Sequence, residues 1–202
     1  KLNWIHQYAT KGQILDYGAG NGDFALAAQQ EGWRVCVYES SPSATETLKH
    51  RQLSTASMPL KENQFDVITL WHVFEHINKP DEALASFYKS LKPGGILVLA
   101  VPNCASWDAK HYKTFWAAYD VPRHRWHYNK QAISFLVRKA GFELFKTKNM
   151  YWDAFYISML SEQYQNAKAP WIKAFYKGLY ANFKGWRTTN TSSLTFFLQK
   201  PK

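Results

Sequence analysis

Ile14-Leu15-Asp16-Tyr17-Gly18-Ala19-Gly20-Asn21-Gly22-Asp23 is the stretch on which the fold turns. A short apolar run ends in an acid, three glycines follow at alternate positions, and Phe24-Ala25-Leu26-Ala27-Ala28 reads as a helix. This order predicts a strand, a tight main-chain turn and a helix N-terminus. Glycine has no Cβ and tolerates positive φ, so a ligand can approach the backbone of such a turn closely. The expected place for that ligand is the carboxyl end of the first strand of an open α/β sheet.

Outward from this turn, apolar runs alternate with helical patterns. Strands are expected at 13–17, 34–39, 53–57, 65–71, 96–101, 142–148 and 194–199, and helices at 23–31, 43–50, 80–91 and 129–140. Pro80 and Asp81 suit a first helical turn, Gly32 and Gly141 suit helix stops, and Lys92-Pro93-Gly94-Gly95 reads as a turn. Strands separated by helices indicate βαβ units. The fold class is therefore α/β: a doubly wound, mostly parallel seven-stranded sheet with helices on both faces. Residues 1–202 read as a single domain. Within it, 12–101 form a cofactor-binding half, 102–128 an active-site loop, and 151–193 a helical lid or interface insertion. Long insertions of this kind are often functional.

Composition narrows the function classes. The 202 residues carry a formal net charge of +10, and 17% are aromatic. Excess base favours anionic partners, but no specific RNA-binding motif is present. No apolar run reaches the ~18–20 residues of a membrane span, and no secretory signal pattern is seen. Lys1 is not a methionine, which leaves room for a preceding segment. Cys36 and Cys104 are the only cysteines. Two cysteines make neither a disulfide framework nor a structural zinc site, and the cytoplasm is the simplest compartment.

Two acids mark the cofactor. Asp16 stands just before the glycine turn, where a carboxylate can bind an amino group. Glu39 ends the second strand, where a carboxylate can accept from a ribose hydroxyl pair. Further segments follow in a fixed order: Val37-Tyr38-Glu39-Ser40-Ser41-Pro42, then Met58 to Ile68, then Leu91-Lys92-Pro93-Gly94-Gly95-Ile96-Leu97-Val98. Together with Ile14–Gly22 they resemble class I S-adenosylmethionine-dependent methyltransferases over roughly residues 12–148. The resemblance implies S-adenosylmethionine as cofactor. It assigns Gly18, Ala19, Gly20 and Gly22 to the turn, Asp16 to the methionine end, and Glu39 and Ser40 to the ribose. Trp71 and His72 flank the cofactor, with Ser57 and Met58 as further contacts. The family often places an Asp near the end of strand three, and none stands in Ser54–Ser57, so Ser57 or a main-chain carbonyl takes its place. A nicotinamide oxidoreductase is the rival for the turn, but Asp23 occupies the position of the last glycine in G-x-G-x-x-G.

Acceptor-side candidates lie in two histidine clusters. Trp71-His72-Val73-Phe74-Glu75-His76 follows strand four and matches H-x-x-E-H, a pattern of some zinc metallopeptidases. That reading requires a helix, whereas the motif begins at a strand end. The second cluster is Tyr119-Asp120-Val121-Pro122-Arg123-His124-Arg125-Trp126-His127-Tyr128. It is similar to a segment in a bacterial branch near the ubiquinone-biosynthesis O-methyltransferase-like group. His76, His124, His127 and Tyr128 are the candidate catalytic residues, and His111 and Arg123 the candidate substrate-binding ones. No ligand set for a metal is evident around His124 and His127. The expected reaction is in-line methyl transfer to a small-molecule acceptor, with oxygen as the expected atom. The alternative is a basic, aromatic module that binds RNA or a membrane surface on the same fold.

The segment 151–185 is apolar, aromatic and basic. Phe155 and Met159, and Ile172, Phe175, Tyr176 and Leu179, have helical spacing. Two amphipathic helices split near Pro170 are expected, packed as a lid or dimer face, with an apolar acceptor or an anionic bilayer as the competing contact. Either a monomer or a homodimer is compatible with this.

Overall fold

Side-chain alternation along the strands builds the molecule. Strand β1 (Gln13–Tyr17) sends Ile14 to one face of the sheet and Leu15 to the other. The same alternation separates Val67 from Ile68 in β4 (Phe65–Trp71) and Phe197 from Phe196 in β7 (Ser193–Gln199). Successive side chains of a strand point to opposite faces, so a run that is apolar throughout needs cover on both sides. In the computed structural model, which describes residues 1–202, helices supply that cover.

One face is closed by α4 (Pro80–Ser90) and α6 (Lys130–Lys139), through Leu84, Phe87, Ile133 and Val137. The other is closed by α1 (Leu2–Ile5) and α2 (Asp23–Gln30). Helix α3 (Pro42–His50) packs Leu48 into a smaller cluster with Ala25 and Val37. Each fully buried Leu, Val or Phe contributes about 1.5–3 kcal/mol.

The seven strands run in the order β3-β2-β1-β4-β5-β7-β6, with β2 (Arg34–Tyr38), β3 (Ser54–Thr55), β5 (Leu91–Pro102) and β6 (Glu143–Met150). Pairing is parallel from β3 through β5, and β7 lies antiparallel between β5 and β6. The order reverses between β1 and β4, which puts the ligand crevice at their carboxyl ends.

Local differences from expectation have physical causes. Strand β3 is reduced to an exposed two-residue edge. The Lys92–Gly95 turn is absorbed into β5 as an irregularity, where Leu91 pairs with Phe65 but Ile96 with Val67. The loop at 102–128 holds a short helix α5 (Trp107–Tyr112), capped by the Ser106 hydroxyl, and two 3-10 turns. The late insertion forms α7 (Asp153–Tyr164) and α8 (Pro170–Thr188), split at Pro170. No helix is long and apolar enough to cross a membrane.

Candidate functional site

The glycine turn after β1 makes the floor of the crevice. Gly18 has φ 76°, and a Cβ there would stand 2.4 Å from Val73 Cγ2, so any side chain would be both strained and blocked. Gly20 has φ 54°, and the place of its missing Cβ is open for 4 Å around. Its N–H donates to Glu39 Oε2 at 2.8 Å. The other carboxylate oxygen accepts from the Ser40 and Ser41 N–H groups at 2.8 and 2.9 Å. Three main-chain donors thus pin Glu39 at the crevice wall. Each carboxylate oxygen has about two acceptor positions, so Oε2 keeps one for a ligand.

The crevice has a volume of about 740 Å³ and is lined by Gly18, Glu39, Ser40, Met58, Trp71 and His72, with His76 beyond them. Asp16 lies behind the turn, buried, and accepts from Thr69 Oγ1 at 2.8 Å. Burial pushes its carboxyl up to about 6, against the Thr69 hydrogen bond and the Lys1 charge. The Lys1 ammonium stands 4.5 Å from the centre of the Trp71 ring and feels the charges of Asp16 and Asp153. A cationic group is therefore already accommodated over Trp71, within the field of Asp16.

His72 also lines a second cavity, of about 360 Å³. Its polar wall is Glu75, Asp120, Arg123, His124 and Asp153, and Ile157 and Leu160 of α7 form an apolar wall. His72 adopts φ 57°, an uncommon conformation that aims its ring between the two spaces. Its Nε2 is 3.0 Å from Asp153 Oδ2 and its Nδ1 3.6 Å from Glu75 Oε1. Burial would lower its pKa, but these two acids outweigh that and raise it to about 9. His72 is therefore an imidazolium at neutral pH.

His124 is the counterpart. Burial lowers its pKa despite the nearby acids. Its Nδ1 lies 2.8 Å from the Ala118 carbonyl, which selects the Nδ1–H tautomer and leaves Nε2 with its lone pair free. That atom is 3.7 Å from Asp120 Oδ2 and 4.0 Å from Glu75 Oε1. His76 is held in the same way, Nδ1 to the Arg123 carbonyl at 2.9 Å, with its ring edge-on to His124. Glu75 is 1% exposed, and neither of its carboxylate oxygens has a hydrogen-bond partner. Glu75, His76 and His124 each present one donor atom, all within 4.8 Å of one another. Such a trio can share protons or accept a divalent cation. Sequence spacing does not show it, because His124 arrives from another loop.

Four expected site residues lie elsewhere. Tyr128 is core, stacked on Phe74 with its hydroxyl buried and unpartnered. His127 is exposed and turned to the Tyr119 carbonyl at 2.9 Å. His111 stacks on Trp107, against α8. Ser57 is exposed and is not part of the crevice wall. Ala19 and Gly22 shape the turn through hydrogen bonds to Tyr38 and from Leu26 without lining the crevice. Arg123 reaches the cavity rim, paired with Asp120 at 2.8 Å. In the H-x-x-E-H segment, His72 sits at a strand end facing Asp153, so the two histidines do not form a helical metallopeptidase pair. Asp153 is the residue that sequence reading misses. Its one signal is that it and Glu162 are the only acids in 151–193.

The family described as "Methyltransferase domain" matches residues 4–147. Among curated proteins, the chain is 26% identical over 117 residues to a ubiquinone biosynthesis O-methyltransferase of Pseudomonas entomophila, covering 51% of this chain and 50% of that protein. It is 26% identical over 166 residues to a ubiquinone/menaquinone biosynthesis C-methyltransferase of Methylococcus capsulatus, covering 65% and 67%. The chain thus spans about half the length of the first of these relatives. Among solved structures, a possible histamine N-methyltransferase of Thermotoga maritima superposes with TM-score 0.67 at 18% identity, covering 98% of this chain and 87% of that one. A putative methyltransferase of Bacillus halodurans gives TM-score 0.67 at 17% identity, covering 100% and 98%. These two likenesses establish the fold.

Proposed function

Since the chain belongs to the methyltransferase-domain family, with the sheet of the class I S-adenosylmethionine-dependent enzymes, we propose that it transfers a methyl group from S-adenosylmethionine in the crevice to a small-molecule hydroxyl in the neighbouring cavity. The observation that carries this reading is His72, whose side chain is wall to both spaces. The residues present fit the cofactor. Gly20 opens onto free space, Glu39 Oε2 has an acceptor position to spare for a ribose hydroxyl, and an ammonium already lies over Trp71 in the field of Asp16. When bound, the cofactor supplies an activated methyl on sulfur, so the protein's share is alignment and exclusion of water.

On the acceptor side, His124 Nε2 is the base for the hydroxyl proton. It is neutral, its ring is fixed by Ala118, and Glu75 and Asp120 stand ready to stabilise the imidazolium that forms. His72, held cationic by Asp153, aligns the acceptor oxygen by donating a hydrogen bond. Two neighbouring histidines with pKa values pushed apart are the usual sign of divided roles. The similarity to quinone-biosynthesis O-methyltransferases supports oxygen as the atom methylated. The test is calorimetric titration with S-adenosylmethionine, followed by mass spectrometry of a panel of catechols, sugars and amines. Binding with a methylated catechol or sugar is the expected result. No heat of binding sinks the reading, and methylation of amines alone corrects the acceptor atom.

A further inference from the structure

Helix α8 turns its large residues outward. At ~100° per residue, Ala174, Gly178, Ala181 and Gly185 share one stripe, and that stripe is the buried one. Contact there is too close for side chains. A Cβ on Gly178 would stand 2.7 Å from the Phe155 ring, and one on Gly185 2.8 Å from the main chain of Thr191. The outward arc, running from beside this stripe round to the far side, carries Trp171, Phe175, Leu179, Phe183 and Trp186, all exposed, with Trp186 at 65%. Trp152, 83% exposed at the start of α7, adds to it. Large apolar side chains gathered on one exposed face, rather than scattered singly, mark a binding surface.

Charge identifies the partner. Helix α8 contains no acid, and its cations are Lys173, Lys177, Lys184 and Arg187. Lys177 is tied to the buried Glu162, whereas Lys173, Lys184 and Arg187 form no ion pair and, at ~100° per residue, follow on one side of the aromatic arc, interleaved with Tyr176 and Tyr180. An apolar face of Trp, Phe and Leu with a basic margin is the pattern of a helix lying in the headgroup plane of a bilayer. A second copy would bring two basic margins together, which disfavours a dimer through this face.

We propose that the α7–α8 hairpin docks the protein on an anionic lipid bilayer, inserting Trp171, Phe175, Phe183 and Trp186 while Lys173, Lys184 and Arg187 meet the phosphates. Tyr156 and Tyr164 line the second cavity and are also exposed on α7, so the cavity opens beside the docked face. If the transfer reading is right, this favours an acceptor with an apolar tail. The docking itself does not depend on that reading.

The experiment is co-flotation with vesicles of phosphatidylcholine alone or mixed with phosphatidylglycerol, alongside cofactor titration of each variant. The wild type floats with the anionic vesicles about tenfold or more over the neutral ones, and salt weakens this. The combined Trp171→Ser, Phe175→Ser and Trp186→Ser variant loses flotation, and Lys173→Glu with Lys184→Glu loses the preference for phosphatidylglycerol. All of them keep cofactor affinity, which reports an intact fold. A wild type that stays off anionic vesicles overturns the proposal, as does a triple variant that floats as before. Concentration-dependent dimers without flotation assign the face to a second copy, and tighter binding to single-stranded RNA than to vesicles assigns it to nucleic acid. Either outcome also overturns it. A wild type that binds cofactor but does not float refutes docking alone, and one that floats but binds no cofactor refutes the transfer reading alone.

Discussion

Helices α4 and α8 both read as amphipathic, yet they bury opposite kinds of residue. Helix α4 puts Leu84 and Phe87 into the core against the sheet and leaves its acids and lysine outside. Helix α8 buries Ala174, Gly178, Ala181 and Gly185, and leaves its tryptophans and phenylalanines outside. A helix on a sheet fills the gap with long side chains. A helix laid tightly on another helix and a loop has no gap to fill. Apolar periodicity therefore locates a helix but does not say which face is inward. In α8 the small-residue stripe makes that choice.

The largest expected effect tests the α4 side of this contrast. Phe87→Ala removes a fully buried ring and should lower stability by about 3–5 kcal/mol in denaturant unfolding. A loss below about 1 kcal/mol would mean that α4 is not a core helix. Next comes the inverse substitution on α8. Gly178→Leu overpacks the contact with Phe155 and should cost about 1–3 kcal/mol. Indifference there would mean that the two helices are not in close contact, and the inversion would fail.

The same contrast explains what was legible beforehand. On the regular βαβ half, strand ends and the glycine turn converge at one geometric point, so most residues named there, though not Ser57, come together at the crevice. Asp16, Gly18, Glu39, Trp71 and His72 all fall there or directly behind it. The Tyr119–Tyr128 cluster has no such period. Its His124 turns inward while its His127 and Tyr128 bind a main-chain carbonyl and the core, and nothing in the order of residues distinguishes them. Asp153 joins His72 only because α7 folds back over the cavity. Tertiary return of a late segment leaves no local trace.

Crevice variants should move cofactor affinity and leave the hairpin indifferent. Glu39→Ala removes a charged acceptor and orphans three main-chain N–H groups. The expected loss is about 1.5–3 kcal/mol, on the order of tenfold to a hundredfold in calorimetric affinity. Unchanged affinity would detach Glu39 from the cofactor. A smaller effect follows from Asp16. Its folded pKa, about 6, lies above its ordinary value of 3.8. Its contribution to folding is therefore fully present below about pH 4 and is lost as pH rises through 6. Cofactor affinity should run the other way, gaining about tenfold between pH 5 and 7 as the carboxylate forms and attracts the ammonium. Asp16→Asn should flatten that profile, and a profile unaltered by the substitution would place the titrating group elsewhere.

The smallest expected effect is the most discriminating. Phe183→Ser deletes a large apolar side chain, the kind of change that is severe in α4. On the outer arc of α8 it should alter stability by no more than about 0.5 kcal/mol, since the ring meets solvent in both the folded and unfolded states. The control is the same substitution measured over a range of protein concentrations. A loss above about 1 kcal/mol that grows with concentration would mean that the arc is covered by a second copy, not by lipid. A concentration-independent loss of that size would mean that the helix packs its aromatic face inward after all. Only near-neutrality leaves the aromatic arc free for a surface outside the chain, and the contrast between α4 and α8 depends on that freedom.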